Sequence, residues 1–363
     1  MTTPPPPASL SALADAWGTV HAGTAGARPR DLAAGLGHPE AQLLAAATPA
    51  TGVHRLQPRW AELIHALPEV GEVMALTRND HAVHEKTGRF GNVRGMGEAM
   101  LVLNDAVDLR LFLGVWGHGF DVTTHSSHGE RRSLQIFDIH GDAVIKVYRT
   151  ANTDAEAFDA LCRRFRADEA AAPALLAVEP PPAPEAPQPD AAVDLAALQA
   201  GWRGLTDVHN FRRLLRDAGA TRHQALRLIG REFAEEVAPD ALSRTLTLAA
   251  DQQVPIMVFV GNRGCVQIHS GPVKKIVEMR GWTNVLDPGF NLHAVTAAAA
   301  SAWVVRKPQA DGTVTALELY DDAGRNYAIL YGVRPAGLPE STAWRAILET
   351  LPRLPAGSQT AAE

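Results

Sequence analysis

Residues Glu179–Asp190 read EPPPAPEAPQPD, and this stretch decides how the rest of the chain is divided. Its prolines remove backbone donors and hold the backbone extended, which is the behaviour of a semi-rigid spacer. The spacer falls near the middle of 363 residues, a length that by itself suggests two domains of roughly 150 residues each. The expected division is 1–178, a linker over 179–190, and 191–363. Working outward from the linker, the two sides match at a constant offset of 183. Asn79 pairs with Asn262, Val83 with Val266, Gly88 with Gly271 and Met96 with Met279. Val102 and Val285, Leu103 and Leu286, Leu109 and Leu292, Leu134 and Leu317, Asp138 and Asp321, Gly141 and Gly324, and Tyr148 and Tyr331 continue the register. A unit this long is a duplicated domain rather than a solenoid repeat, whose period is roughly 20–50 residues.

Each half begins with helical periodicity and then turns to strands. Arg30 to Ala46 carries Leu32, Leu36, Leu43 and Leu44 at helical intervals, and Trp60 to Leu67 reads as a short amphipathic helix. Thr206 to Ala218 and Arg222 to Glu236 take those parts in the second half. Strand patterns follow at Val73 to Asn79, Ala99 to Leu103, Asp108 to Leu113, Ser133 to Ile139 and Ala143 to Tyr148, and PIMVFVG, VQIHSG, SAWVVRK, TALELYD and YAILYG answer them, with Asp321 to Gly324 as a hairpin turn. Helices followed by antiparallel strands predict an α+β fold. The expectation is a tandem duplication of one domain, each copy having N-terminal helices and then a large antiparallel sheet, with the two sheets paired.

Composition narrows the function classes. Hydrophobic residues are 46% and charged residues 20%, ordinary values for a globular protein. Lys plus Arg is 34 against 40 for Asp plus Glu, a net charge of -6, so no global basic field is available for nucleic acid or an anionic membrane. Two cysteines, Cys162 and Cys265, are too few for a disulfide scaffold or a four-thiolate zinc site and point to a reducing, cytoplasmic setting. The opening MTTPPPPASLSALADAW has no basic region or uninterrupted apolar core, so an extended arm over Pro4–Pro7 is expected rather than an export signal. Apolar stretches such as Val254 to Val260 fall short of the ~20 residues of a membrane span. Phosphate-loop, GxSxG, HExxH, dinucleotide and paired CxxC signatures are absent.

The candidate chemistry therefore rests on individual side chains. His81, His84 and Glu85 form one cluster, and His118, His125 and His128 another. Both lie in polar, turn-like segments where exposed loop histidines are the commoner outcome than a metal site. His209 sits in LTDVHNFRRLL, with Thr206 or Asp207 as N-cap and Leu205, Val208, Phe211 and Leu215 as the buried stripe. At the edge of that stripe it suits an axial ligand of a flat apolar cofactor, although a surface or cleft-lining histidine is the commoner outcome for such a position. Alternation along Asp108–Phe112 puts Asp108, Arg110 and Phe112 on one strand face, either as a solvated ion pair or as a ligand-facing cation beside an aromatic. Lys307, Tyr331 and Arg334 supply strand-end cations and a phenol suited to carboxylates.

These same residues carry a resemblance. TRNDHAVHEKTG (Thr77 to Gly88), DLRLF (Asp108 to Phe112), TDVHNF (Thr206 to Phe211), PIMVFVGNRGCVQIHSGPV (Pro255 to Val273), WTNVLDPGFNLH (Trp282 to His293) and SAWVVRKP (Ser301 to Pro308) resemble the HemS-type haemin-degrading and haem-utilisation family of bacterial cytoplasmic proteins, over nearly the whole chain. The resemblance implies a haem site in the cleft between the halves, with His209 as proximal iron ligand and Arg110 as the distal group. Phe112 and Phe259 would pack on the porphyrin, and Lys307, Tyr331, Arg334, Arg222 and Arg30 would meet the propionates. The implied activity is oxidative opening of haem to release iron, with an external reductant and O2 or peroxide. A haem transporter would act upstream and a reductase or haem oxygenase downstream. The alternative is a non-catalytic haem carrier serving a separate haem oxygenase. The polar run Thr123 to Glu130 and the long linker depart from the family pattern without touching the proposed ligands.

Overall fold

The computed structural model describes residues 9–48, 52–95, 97–127, 129–168, 175–183, 187–334 and 337–355. Pro4–Pro7, Met96, His128 and residues 184–186 of the linker lie outside them. The first half contains α1 (Leu10–His21), α2 (Pro29–Gly35), α3 (Glu40–Ala46), β1 (Val53–Arg55), α4 (Trp60–Ala66), β2 (Gly71–Arg78), β3 (Ala82–Arg89), β4 (Val93–Arg94), β5 (Ala99–Leu103), β6 (Asp108–Phe112), β7 (Trp116–Ser126), β8 (Gly129–Asp138), β9 (Ala143–Thr153) and α5 (Ala155–Phe165). The second contains α6 (Leu195–Arg203), α7 (Phe211–Asp217), α8 (Arg222–Ile229), β10 (Ala234–Val237), α9 (Ala241–Asp251), β11 (Ile256–Gly261), β12 (Cys265–Gly271), β13 (Ile276–Met279), β14 (Trp282–Asp287), β15 (Phe290–Val295), β16 (Ser301–Gln309), β17 (Gly312–Tyr320), β18 (Asn326–Gly332) and α10 (Thr342–Glu349). The strands form two antiparallel sheets of nine strands each.

The chain divides into two compact units, and each includes one short turn contributed by the other half. Residues 1–78, 84–182 and 261–267 make the first; 79–83, 183–260 and 268–363 make the second. In the first unit β1, β7, β8, β9 and β2 are consecutive in the sheet; in the second β10, β16, β17, β18 and β11 are. The registers repeat at the offset of 183. Gln135 opposes Lys146 and Ser133 opposes Tyr148, as Glu318 opposes Ile329 and Ala316 opposes Tyr331. Even the irregularity between Ile136 and Phe137 recurs between Leu319 and Tyr320.

Each unit has an apolar core on both faces of its strands. In the second unit α9 and α10 cover one face through Leu242, Leu246, Trp344, Ile347 and Leu348, packed on Val258, Leu317, Leu319 and Leu330. Helices α6, α7 and α8 cover the other through Trp202, Phe211, Leu226 and Ile229, packed on Trp303, Val305 and Tyr320. The first unit places α4 and α5 on one face and α1, α2 and α3 on the other. Cover on both faces leaves β8, β16 and β17 with continuous buried runs rather than alternation.

Local chemistry moves several expected boundaries. The helix read over Arg30 to Ala46 is two helices, interrupted where Gly37 takes φ +79 and Pro39 caps the second. That over Thr206 to Ala218 is a 3-10 turn, Val208–Asn210, followed by α7. Helix α8 stops at Gly230, φ +99, and Ala234–Val237 is strand β10. Asp321–Gly324 is the hairpin turn expected, with Gly324 at φ +71.

Candidate functional site

The site is built most completely in the second unit, on the strand face beneath α6, α7 and α8. Side chains directly opposite one another across antiparallel strands share a face. Met257 opposes Tyr331 and Phe259 opposes Ile329, Ile329 opposes Glu318 and Tyr331 opposes Ala316, and Lys307 lies on β16 opposite Val314. Met257, Phe259, Ile329 and Tyr331 are only half-buried, so the helices leave part of this face as an apolar platform. Phe259 and Tyr331 meet edge to face, with ring centroids 5.3 Å apart.

A charged cluster borders the platform. Glu318 Oε1 accepts from Lys307 Nζ and from Arg222 Nη2, both at 2.6 Å. Oε2 accepts from Arg222 Nε at 2.7 Å and from the Tyr320 hydroxyl at 2.6 Å. Lys307 is 3% exposed and Glu318 fully buried. A buried carboxylate at this depth persists only when paired and hydrogen-bonded. Burial alone would raise its pKa, but Arg222 and Lys307 hold it well below the ordinary value. Lys307 is pulled down to about 8 by burial, with Glu318 opposing that shift and Arg222 adding to it. Tyr331 is pushed up to about 12, first by burial and then by Glu318, while the positive charge of Arg222 pulls the other way.

Local sequence explains the positions. Thr221 caps α8 and Gln224 reaches back to the capping residue, a reciprocal box that fixes the first turn and therefore where Arg222 leaves it. Phe211 opens α7, packs edge to face on buried Trp202 at 4.7 Å, and takes Lys307 Nζ 4.3 Å from its ring centroid and the Arg222 guanidinium at 5.3 Å.

His209 lies two residues before Phe211, in the 3-10 turn rather than on the edge of a helix stripe. Its side chain is 89% exposed. The Asp207 carboxylate accepts from the His209 amide at 2.8 Å and pairs with its Nδ1 at 2.6 Å, contacts that hold Asp207 below the ordinary carboxylate value. A carboxylate on Nδ1 selects the tautomer whose Nε2 lone pair faces outward, the arrangement of a metal-ligating histidine. A metal held by such a nitrogen, inside a flat apolar ligand carrying carboxylates, matches what this unit offers.

The first unit presents a smaller feature. Leu101 opposes Arg110 and Ala99 opposes Phe112, so these four share one face of the β5–β6 hairpin. Phe112 is 43% exposed and Leu101 36%. Arg110 is ion-paired to Asp108, as alternation along the strand suggests. The Phe112 amide donates to the Gly264 carbonyl at 2.9 Å, which anchors the strand end.

Lys307, Arg222, Tyr331 and Phe259 are thus brought together, with His209 on the adjoining turn. Arg334 is instead paired with Asp311 at 3.0 Å. Arg30 lies in α2 of the first unit, among the charges acting on half-buried Arg78. The histidine clusters only partly match that reading: His81 lies in the turn between β2 and β3, whereas His84 is in β3 and fully buried and His118 and His125 are in β7, His125 exposed. Among the described residues no group of three or more His, Cys, Asp or Glu is arranged to hold a metal ion. Glu318, Tyr320 and Asp207 complete the site and were not singled out as functional from sequence. Their signal is a carboxylate and a phenol two apart inside the apolar run TALELYD, and an acid two residues before the histidine.

The family model of the haemin-degrading HemS/ChuX domain matches twice, over residues 37–165 and 219–351. The hemin transport protein HmuS of Yersinia pestis is 44% identical over 317 residues, covering 87% of this chain and 90% of that one. The crystal structure of holo-PhuS, a haem-binding protein from Pseudomonas aeruginosa, superposes with TM-score 0.90 at 43% identity, over 96% of this chain and all of that one. That of ChuS, an E. coli haem oxygenase, does so with TM-score 0.80 at 41% identity, over 89% and 95%. No helix among the described residues is long and apolar enough to cross a membrane. With two domain matches and relatives aligned over most of its length, this chain belongs to the HemS/ChuX family.

Proposed function

We propose that this chain binds haem in the cytoplasm and opens the porphyrin oxidatively, releasing iron, with the C-terminal repeat, 191–363, carrying the proximal ligand. The observation that carries the reading is the Asp207–His209 pair two residues ahead of Phe211, itself pressed against Lys307 and Arg222 beside a half-open apolar platform. Nε2 of His209 would ligate the iron, with Asp207 fixing the tautomer. Phe259, Met257 and Ile329 would take the ring face. Lys307, Arg222 and Tyr331 would hold a propionate, with Arg334 and Arg30 as further candidates at the carboxylates. Arg110 and Phe112 are proposed for the distal side, where the guanidinium donates hydrogen bonds and the phenyl ring excludes water. Haem itself supplies the redox chemistry, given an external reductant and O2 or peroxide. A haem transporter upstream and a reductase or haem oxygenase downstream complete the proposed route.

The exposure of His209 favours a second reading, because a ligand on an open turn exchanges readily. On that reading the chain is a carrier that hands haem to a separate oxygenase. Loading with one equivalent of haemin, adding ascorbate in air with and without catalase, and following the Soret band separates the two. Decay with iron release that survives catalase supports the enzyme, and decay only without catalase indicates peroxide-driven breakdown. A stable ligated spectrum supports the carrier. His209→Ala is expected to abolish the defined Soret spectrum in either case; an unchanged spectrum removes His209 from the site.

A further inference from the structure

Glu318 is fully buried with both carboxylate oxygens engaged, and its bonding has no place in the roles above. Both oxygens accept two hydrogen bonds each, from Lys307 and Arg222 on Oε1 and from Arg222 and Tyr320 on Oε2. A carboxylate has about four lone-pair positions, so none is left for a ligand. Two cations converge on one oxygen, where their mutual repulsion and the dehydration of Lys307 both work against the lysine charge. We propose that Glu318 is the positioning residue of the carboxylate-binding edge, holding Lys307 and Arg222 as one charged array against Phe211 and so keeping both available to a ligand carboxylate. This inference rests on the haem reading and deepens it.

A consequence runs against simple charge counting. Removing the negative charge of Glu318 would not give the ligand a more positive edge, because Lys307 would lose the group that keeps it protonated. Lys307 faces Glu318 from β17, Arg222 from α8 and the uncharged Phe211 from α7, while Tyr320 on β17 donates to Glu318. Tyr331 on β18 feels the charge of Arg222, and His223 stacks on Tyr320 with centroids 4.9 Å apart. Burial depresses His223 and raises both tyrosines, so none of the three changes charge in the mildly alkaline range. Lys307, brought down to about 8, is the group of the cluster that does. A ligand carboxylate is anionic above roughly pH 5. Affinity for a free-acid porphyrin should therefore hold across neutral pH and fall as Lys307 deprotonates above about 8.

The test compares haemin with haemin dimethyl ester, in which both carboxylates are capped, by Soret titration of the full chain from pH 6 to 10. Wild type is expected to show the alkaline fall for haemin and not for the ester, and Lys307→Met to lack it. Glu318→Gln is expected to move the fall to lower pH and to weaken haemin binding at pH 7.5 about tenfold, the loss of one charge-assisted hydrogen bond, with a smaller effect on the ester. Haemin binding in Glu318→Gln equal to or tighter than wild type, or an equal loss for both ligands, overturns the proposal. If circular dichroism shows that Glu318→Gln has not folded, the other two proteins decide. An alkaline fall shared by the ester, or persisting in Lys307→Met, overturns it as well. Wild type giving no Soret shift with either ligand overturns the haem reading itself, a result distinct from failure of the Glu318 role alone.

Discussion

The same strand face carries opposite electrostatic solutions in the two units. At the position of Ile329 the first unit has Lys146, whose Nζ donates to Glu40 Oε1 of α3 at 2.5 Å. At the positions of Glu318, Tyr320 and Lys307 it has Gln135, Phe137 and Thr124. Lys146 and Glu40 are both buried and cancel in charge. In the second unit Lys307 and Arg222 share one carboxylate and leave one positive charge over. One scaffold thus serves a closed, neutral contact between helix and sheet in one copy and a cationic edge on a half-open platform in the other. Duplication preserves register while the identity of three or four facing side chains decides whether the face is used for packing or for a ligand.

The sharpest way to break the comparison is to give the first unit the residue of the second. Lys146→Ile leaves Glu40 buried without its cation, and Glu40 Oε2 already has no partner among the described residues. Loss of one member of a buried pair should destabilise the fold by roughly 3–5 kcal/mol, whereas the double change Lys146→Ile with Glu40→Leu should recover to within about 1 kcal/mol of wild type. Urea unfolding measures both. If the single change is as stable as the double, the pair is not what closes this face.

A second comparison concerns the exchanged turns. Asn262 Oδ1 accepts the amides of Gly264 and Cys265 at 3.0 and 2.9 Å, and its Nδ2 donates to the carbonyls of Val144 and Arg78 at 2.8 and 3.0 Å. Asn79 does the same at the offset of 183, accepting from His81 and Ala82 and donating to the carbonyl of Tyr327, the counterpart of Val144. Each side chain closes its own turn and ties it to the unit that receives it. Asn262→Ala and Asn79→Ala should each destabilise by about 2–3 kcal/mol, from several buried backbone groups left short of a partner. Equal melting losses confirm equivalence; a loss confined to one site shows that only one turn is clamped.

Those asparagines show how far sequence carries. The offset of 183 made Asn79 and Asn262 the first matched pair, and strand alternation placed Arg110 and Phe112 on one face. Lys307 and Tyr331 were legible as cations and phenols at strand ends. Glu318 was not, because a glutamate between two leucines in a strand ordinarily marks the solvent side, and only its tertiary partners make burial tolerable. The turn that carries His209 reads as helix, since Val208 and Phe211 fit a helical stripe while the Asp207 cap that makes a 3-10 turn competes locally. The reciprocal turns were invisible for another reason: contact between segments remote in sequence leaves no periodic trace.

The finest difference between the units is a reversal of charge. In the first, Arg263 pairs with Asp142 and Asp138, both at 3.1 Å. At the same two offset positions the second has Asp80 and Arg325, paired at 3.2 Å, with Arg325 Nε on Asp321 at 2.8 Å. Asp138 and Asp321 are the matched, buried acids of the two hairpin turns, each accepting two backbone amides. The arginine can therefore come from either side of the contact provided that an acid faces it. Arg263→Asp alone puts a third carboxylate beside Asp138 and Asp142, whereas Arg263→Asp with Asp142→Arg reproduces the arrangement of the second unit. Because Arg263 and Asp142 are substantially exposed, their coupling in a double-mutant cycle should be well under 1 kcal/mol. It should shrink further in 0.5 M salt. The swap should restore what the single change loses, and if it does not, the reversal reflects surroundings that differ between the units rather than one contact written in two directions.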